Sequence, residues 1–135
     1  MHHHIQMKKL SLLFFLFPFF ATAQNQSLDT IKAPANYDGI YVRMVASDSL
    51  SSSFVIFFKK EVKKHKHATH TENVYILEGE GEMLLGDKIF KVKKGDMIFI
   101  PMNTVHSLKV TSSNPVKVLS VQSPNFDGKD RIFVD

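Results

Sequence analysis

From Ile40 onward, apolar residues come in short runs broken by glycine, asparagine, aspartate and serine, and within many runs they alternate with polar ones. Alternate side chains of a strand share a face, so this period predicts strands with one buried side. The runs are 40–45, 54–58, 74–77, 82–85, 88–92, 97–100, 105–110 and 116–121. Segments this short and this evenly punctuated predict an all-β sandwich or barrel. No longer stretch has helical periodicity, and there is no internal repeat. Leu85-Gly86-Asp87-Lys88 reads as a hairpin and Lys94-Gly95-Asp96 as a second turn. Gly79 and Gly81 flank Glu80 where a bulge or a close backbone approach is expected. The polar residues 24–39, with Pro34, read as a flexible lead-in to a single domain over 40–135.

The first residues belong to a different pattern. Met1 to Gln6 is an upstream extension; after Met7 come Lys8 and Lys9, an apolar stretch from Leu10 to Phe20, and Ala21-Thr22-Ala23 before Gln24. A basic head, a short apolar middle and a small-x-small end describe a secretory signal peptide, so residues 1–23 are set apart and the protein is expected to be exported, periplasmic or secreted. The apolar part is short and Pro18 interrupts it, which favours cleavage over a lasting membrane anchor. The remaining chain of about 112 residues can close one core. It has no cysteine, which excludes disulfides and thiol chemistry.

Charge changes the picture little. The whole chain has 17 Lys and Arg against 13 Asp and Glu, and the leader removes two of the lysines. The most basic run, Lys59 to Lys66, lacks interleaved aromatics, so it reads as a solvated loop and no nucleic-acid partner is expected. A steering role for an anionic substrate is the functional alternative.

Histidine is more informative. Three of the seven lie in the extension; the others are His65, His67, His70 and His106. On a strand His65 and His67 point the same way and offer two nitrogens to one ion. Glu72 opens the run Val74-Tyr75-Ile76-Leu77, and His106 follows the turn at Pro101. Three imidazoles and a carboxylate are a ligand set for one divalent transition metal ion, Mn, Fe, Ni, Cu or Zn. If Glu72 faces inward so do Val74 and Ile76, and if His106 does so do Leu108 and Val110. His70 lies in the loop between ligands and reads as an exposed residue or a supporting proton relay ahead of a fifth ligand.

At these residues the chain resembles the cupins. Their first motif, G-x5-H-x-H-x(3,4)-E-x6-G, is matched by His65, His67, Glu72 and Gly79, with Lys59 in place of the leading glycine. Their second, G-x5-P-x-G-x2-H-x3-N, is matched by Gly95, Pro101 and His106, with Asn103 and Val110 at the remaining positions. Asn tolerates left-handed backbone, so Asn103 keeps the turn. The resemblance implies a double-stranded β-helix, the jelly-roll barrel, with metal held by His65, His67, Glu72 and His106, and homodimers through the outer face of one sheet.

Two functions fit. One is a metal-dependent enzyme, a dioxygenase, decarboxylase, lyase or isomerase acting on a small oxygen-rich molecule, with Glu72 able to serve as a base as well as a ligand. The other is a non-catalytic module that captures a small molecule or sugar. No Ser-His-Asp order, phosphate-cradling loop or Cys pair offers chemistry apart from the metal.

Overall fold

The computed structural model describes residues 24–135; the leader reading of residues 1–23 lies outside them. After a 3-10 turn at Leu28–Thr30 come β1 (Ile40–Ser47), β2 (Ser52–Phe58), β3 (Glu61–Lys66), β4 (Thr71–Glu78), β5 (Glu80–Leu85), β6 (Lys88–Lys93), β7 (Met97–Ile100), β8 (His106–Val110), β9 (Val116–Ser123) and β10 (Ile132–Phe133). They form two five-stranded sheets, ordered β1-β2-β9-β4-β7 and β10-β3-β8-β5-β6. Every neighbouring pair is antiparallel. Among the described residues no helix is long and apolar enough to cross a membrane.

The alternation decides which residues fill the space between the sheets. Phe54, Ile56 and Phe58 of β2, Val74 and Ile76 of β4, Ile98 and Ile100 of β7, and Val116 and Val118 of β9 meet Met83, Val92 and Leu108 from the other sheet. Fully burying an aliphatic or aromatic side chain of this size contributes about 1.5–3 kcal/mol. The odd positions of β2 are buried too, because Val55 and Phe57 on the outer face are covered by the lead-in. Ile31 is 1% exposed there, and the buried Lys117 Nζ donates to the Leu28 carbonyl at 2.8 Å. Polar composition hid this docking; within the lead-in, Leu28, Ile31, Ala33 and Tyr37 are laid on the sheet, while residues 24–27 are exposed.

Two further differences from the sequence reading matter for the site. The basic run read as a solvated loop is a turn at Lys59-Lys60 followed by β3, whose lysines face water while Val62 and His65 turn inward. Strict alternation from Val62 would face 64 and 66 inward; a register shift between Val62 and His65 brings His65 in instead. Beyond β9 the chain returns across the barrel mouth and adds β10 to the edge of β3, with Phe133 opposite His65 and Ile132 opposite Lys66. Of the hairpin residues between β5 and β6, Gly86 alone takes a positive φ, 61°. Asn103 also sits at φ 61°, the left-handed turn residue that its place in the motif required.

Candidate metal centre

β3 and β8 face each other at the site end of the barrel, pairing His65 with His106, while His67 lies just past the end of β3. All three are buried, and one nitrogen from each lies within 4.8 Å of the others, a group able to hold a metal ion. Glu72, at the start of β4 in the facing sheet, places Oε2 3.3 Å from His67 Nε2 and 3.5 Å from His106 Nε2. The structure thus brings together the four residues picked out in the sequence. The inward alternation also holds, with Val74, Ile76 and Leu108 buried and Val110 packed against the core.

The other nitrogen of each imidazole fixes its chemistry. Nδ1 of His65 donates to the Lys63 carbonyl at 2.8 Å, Nδ1 of His106 to the Thr104 carbonyl at 3.0 Å, and Nδ1 of His67 to the Asp130 carbonyl. A carbonyl only accepts, so each Nδ1 carries hydrogen and the neutral ring presents its Nε2 lone pair. Nε2 of His67 and of His106 is buried and makes no hydrogen bond. Two lone pairs beside a carboxylate oxygen repel one another unless positive charge sits among them, as a proton or as a metal ion. The donor set therefore fits a first-row cation, with carbonyls orienting the rings as is usual for ligating histidines.

Electrostatics carries the same message. Burial by itself would raise the Glu72 carboxyl, but the close approach of the His106 and His67 imidazoles and the hydrogen bond from Ser120 outweigh it and hold the group well below the usual carboxylate range. Burial and the neighbouring His106 push His65 down to about 4, against the lift from the Lys63 carbonyl. Burial also works against protonated His67, and is overcome by Glu72 and the Asp130 carbonyl, which raise it.

His70 is buried, so the exposed alternative is excluded, and it is absent from the ligand group. Its Nδ1 meets Asp130 Oδ2 at 2.6 Å and its Nε2 meets the Asn125 carbonyl at 3.0 Å. The same Asp130 carboxylate accepts from the backbone N–H groups of Ala68 and Thr69, both at 2.8 Å, and from the Thr69 hydroxyl. His70 and Asp130 together clasp segment 124–131 onto the loop that holds His67. Phe126 of that segment lies edge-on to His67, His70 and Phe54, closing the mouth between them.

Asp130 was not visible as a site residue, since its position follows from a return crossing of the whole barrel. Burial by itself would raise its carboxyl; His70, the Thr69 and Ala68 amides and the Thr69 hydroxyl more than offset that and lower it. The sign is then fixed: the clasp contributes fully above the ordinary Asp value of about 4 and loses its contribution as pH falls below it. We expect Asp130→Ala to lower stability by about 1–3 kcal/mol at pH 7, with a smaller difference from wild type near pH 3, measured by urea unfolding. Equal differences at the two pH values would contradict the clasp.

Ser120 and Gln122 were likewise unmarked, although the alternation carries a signal. Val116, Val118, Ser120 and Gln122 occupy one inward row of β9, and polar residues in an otherwise apolar row point to a site. The Ser120 hydroxyl donates to Glu72 Oε1. A cavity of about 50 Å³ adjoins the cluster, walled by Phe58, Val62, Ile76, Met83 and Leu108 with His65, Glu72 and His106 at its polar end.

Comparison with known proteins agrees with this architecture. A family model described as "Cupin domain" matches residues 56–122. An uncharacterized protein of Methanocaldococcus jannaschii is 36% identical over 110 residues, 76% of this chain and 87% of its own. Quercetin 2,3-dioxygenase of Bacillus subtilis is 30% identical over 94 residues, 70% of this chain but 25% of the enzyme. Among solved structures, a conserved protein with a double-stranded β-helix domain from Klebsiella pneumoniae superposes with TM-score 0.71 at 20% identity, covering 84% of this chain and 99% of that one. Sequence motifs, barrel topology and the inward histidine cluster converge with these likenesses: the chain belongs to the cupin family.

Proposed function

We propose that this protein is an exported metal-dependent cupin enzyme that acts on a small oxygen-rich molecule. One observation carries the reading: three imidazoles pinned through Nδ1 cluster at one point, and Nε2 of His67 and of His106 approaches the buried Glu72 carboxylate. His65, His67, His106 and Glu72 would hold one ion, of the Mn, Fe, Ni, Cu or Zn group. Such an ion supplies Lewis acidity and, where redox-active, dioxygen chemistry. The likeness to quercetin 2,3-dioxygenase supports oxygen chemistry, within the quarter of that enzyme that is matched.

The chain's own contribution is to orient three imidazoles through their Nδ1 hydrogen bonds and to hold one carboxylate beside them in a pocket with apolar walls. Glu72, held ionised and steadied by the Ser120 hydroxyl, would serve as the anionic member of the ligand set. Phe126 and the cavity walls exclude bulk water, leaving room for a few water-sized groups. Residues 1–23 act as the export signal in this reading. Tyr75, Met97 and Phe99, exposed on the outer face of the β4-β7 pair, would join two copies; a monomeric mass by sedimentation would remove that part.

The test is elemental analysis of protein isolated from its exported location without added metal or chelator. The expected result is near-stoichiometric content of one ion from the group above, in a chain whose intact mass begins at Gln24. Metal at background would overturn the metal-dependent reading, and a chain beginning at Met1 or Met7 would overturn export. Ion-bound protein that binds but never turns over small oxygenated compounds would favour the non-catalytic capture module.

A further inference from the structure

A second cavity, of about 370 Å³, opens at the barrel mouth beside the metal-site cavity, and Ile56 and Arg131 line both. Arg131 immediately precedes β10, so continuing the β10–β3 register sets it opposite His67, on the inward side shared by Phe133 and His65. Its Nε is buried without a hydrogen-bond partner. Among the described residues no carboxylate lies within ion-pair distance of its guanidinium; Asp127, on the rim of the same cavity, is 3.8 Å from Lys129 instead. A half-buried guanidinium without an anion is costly to keep, and its planar fork matches a carboxylate or phosphate.

Gln122 supplies the second observation. It is 2% exposed and lines the outer cavity. The Ser120 hydroxyl hydrogen is used on Glu72, so Ser120 Oγ accepts from Gln122 Nε2 at 3.4 Å, and Gln122 Oε1 is left buried with no donor. A buried carboxamide oxygen without a donor suits a ligand hydroxyl or N–H.

We propose that Arg131 and Gln122 form a ligand subsite for a small hydroxycarboxylate, the guanidinium taking the carboxylate and Gln122 Oε1 accepting the adjacent hydroxyl, with the rest of the molecule directed toward the histidine cluster. The catalytic meaning of this subsite rests on the metal-dependent reading above. Its existence does not, since neither residue is a ligand of the cluster. Arg131 in this role is a binding residue that selects anionic substrates.

The experiment is a titration of the full chain, both as isolated and stripped of ions, with glycolate, acetate and inorganic phosphate, following the Arg131 side-chain Nε–H resonance by ¹⁵N NMR. Glycolate is expected to shift that resonance saturably and to bind more tightly than acetate, which lacks the hydroxyl. R131Q should weaken glycolate by about tenfold or more, the loss expected for a hydrogen bond to a charged group, with metal content unchanged. R131K, which keeps the charge without the fork, should fall between, and Q122A should abolish the preference over acetate. An Arg131 resonance that glycolate leaves unmoved in both preparations, or phosphate binding more tightly than glycolate, would overturn the proposal. Background metal together with a normal Arg131 response would instead overturn the metal reading and leave the subsite standing.

Discussion

Changing His67 and His106 together to alanine is expected to take metal content from stoichiometric to background while the chain keeps its β-rich circular dichroism. Each substitution removes one Nε2 that approaches Glu72 Oε2, leaving His65 and the carboxylate, too few donors for a first-row ion. The barrel survives because its apolar cluster, from Phe54 through Ile100 to Val118, does not include these rings. Stability should nonetheless fall: Glu72 is left buried with Ser120 as its remaining partner, and breaking a buried ion pair from one side costs about 3–5 kcal/mol. Urea unfolding in the absence of metal measures that loss, and elemental analysis of the same sample measures occupancy. Full occupancy in the double variant would refute the site assignment.

The largest purely structural effect is expected at Gly79. Its φ is +82°, and a Cβ built there would lie 2.7 Å from the Pro115 carbonyl oxygen and 2.9 Å from the Val116 Cα. Both are backbone atoms and cannot rotate aside. Left-handed strain of about 1–2 kcal/mol and overpacking of about 1–3 kcal/mol therefore add, and Gly79→Ala should lose about 3 kcal/mol in urea unfolding. Gly39 is the control, with φ +68° and nothing within 4 Å of a built Cβ. Gly39→Ala should lose only the conformational part, about 1 kcal/mol. Indistinguishable losses at the two sites would mean that β4 and β9 do not approach as closely at Gly79 as described.

The sequence read most clearly where one residue's character decided one position. Gly79 was marked by a glycine inside a strand pattern, Asn103 by its tolerance of left-handed backbone, and the inward sets Glu72-Val74-Ile76 and His106-Leu108 by alternation alone. It read poorly where position depended on a distant partner. The lysines of β3 look like a solvated loop because the strand's polar face dominates its composition, and the register shift after Val62 hides the alternation. Ile31 looks like part of a free lead-in until the outer face of β2 is known to need cover. Asp130 and Arg131 carry no local signal, since only β10 pairing with β3 brings them to the cluster. Ser120 and Gln122 lie between these cases: the row they occupy was legible, and their polarity within it was the overlooked clue.

The hydrogen bond from His67 to the Asp130 carbonyl spans 63 residues of sequence. Until that bond forms, the imidazole is free to swing and to exchange which nitrogen bears hydrogen, so a partly folded chain presents a looser and less discriminating set of donors. Closing so long a span is among the slower steps available to a chain of this size, because loop entropy must be met before the contact rewards it. In the metal-dependent reading, ion capture would therefore follow closure of the barrel, because His67 takes its final orientation only then. A chain that wrapped first and loaded afterwards would let its finished geometry, rather than whichever cation it met earliest, govern what it carried.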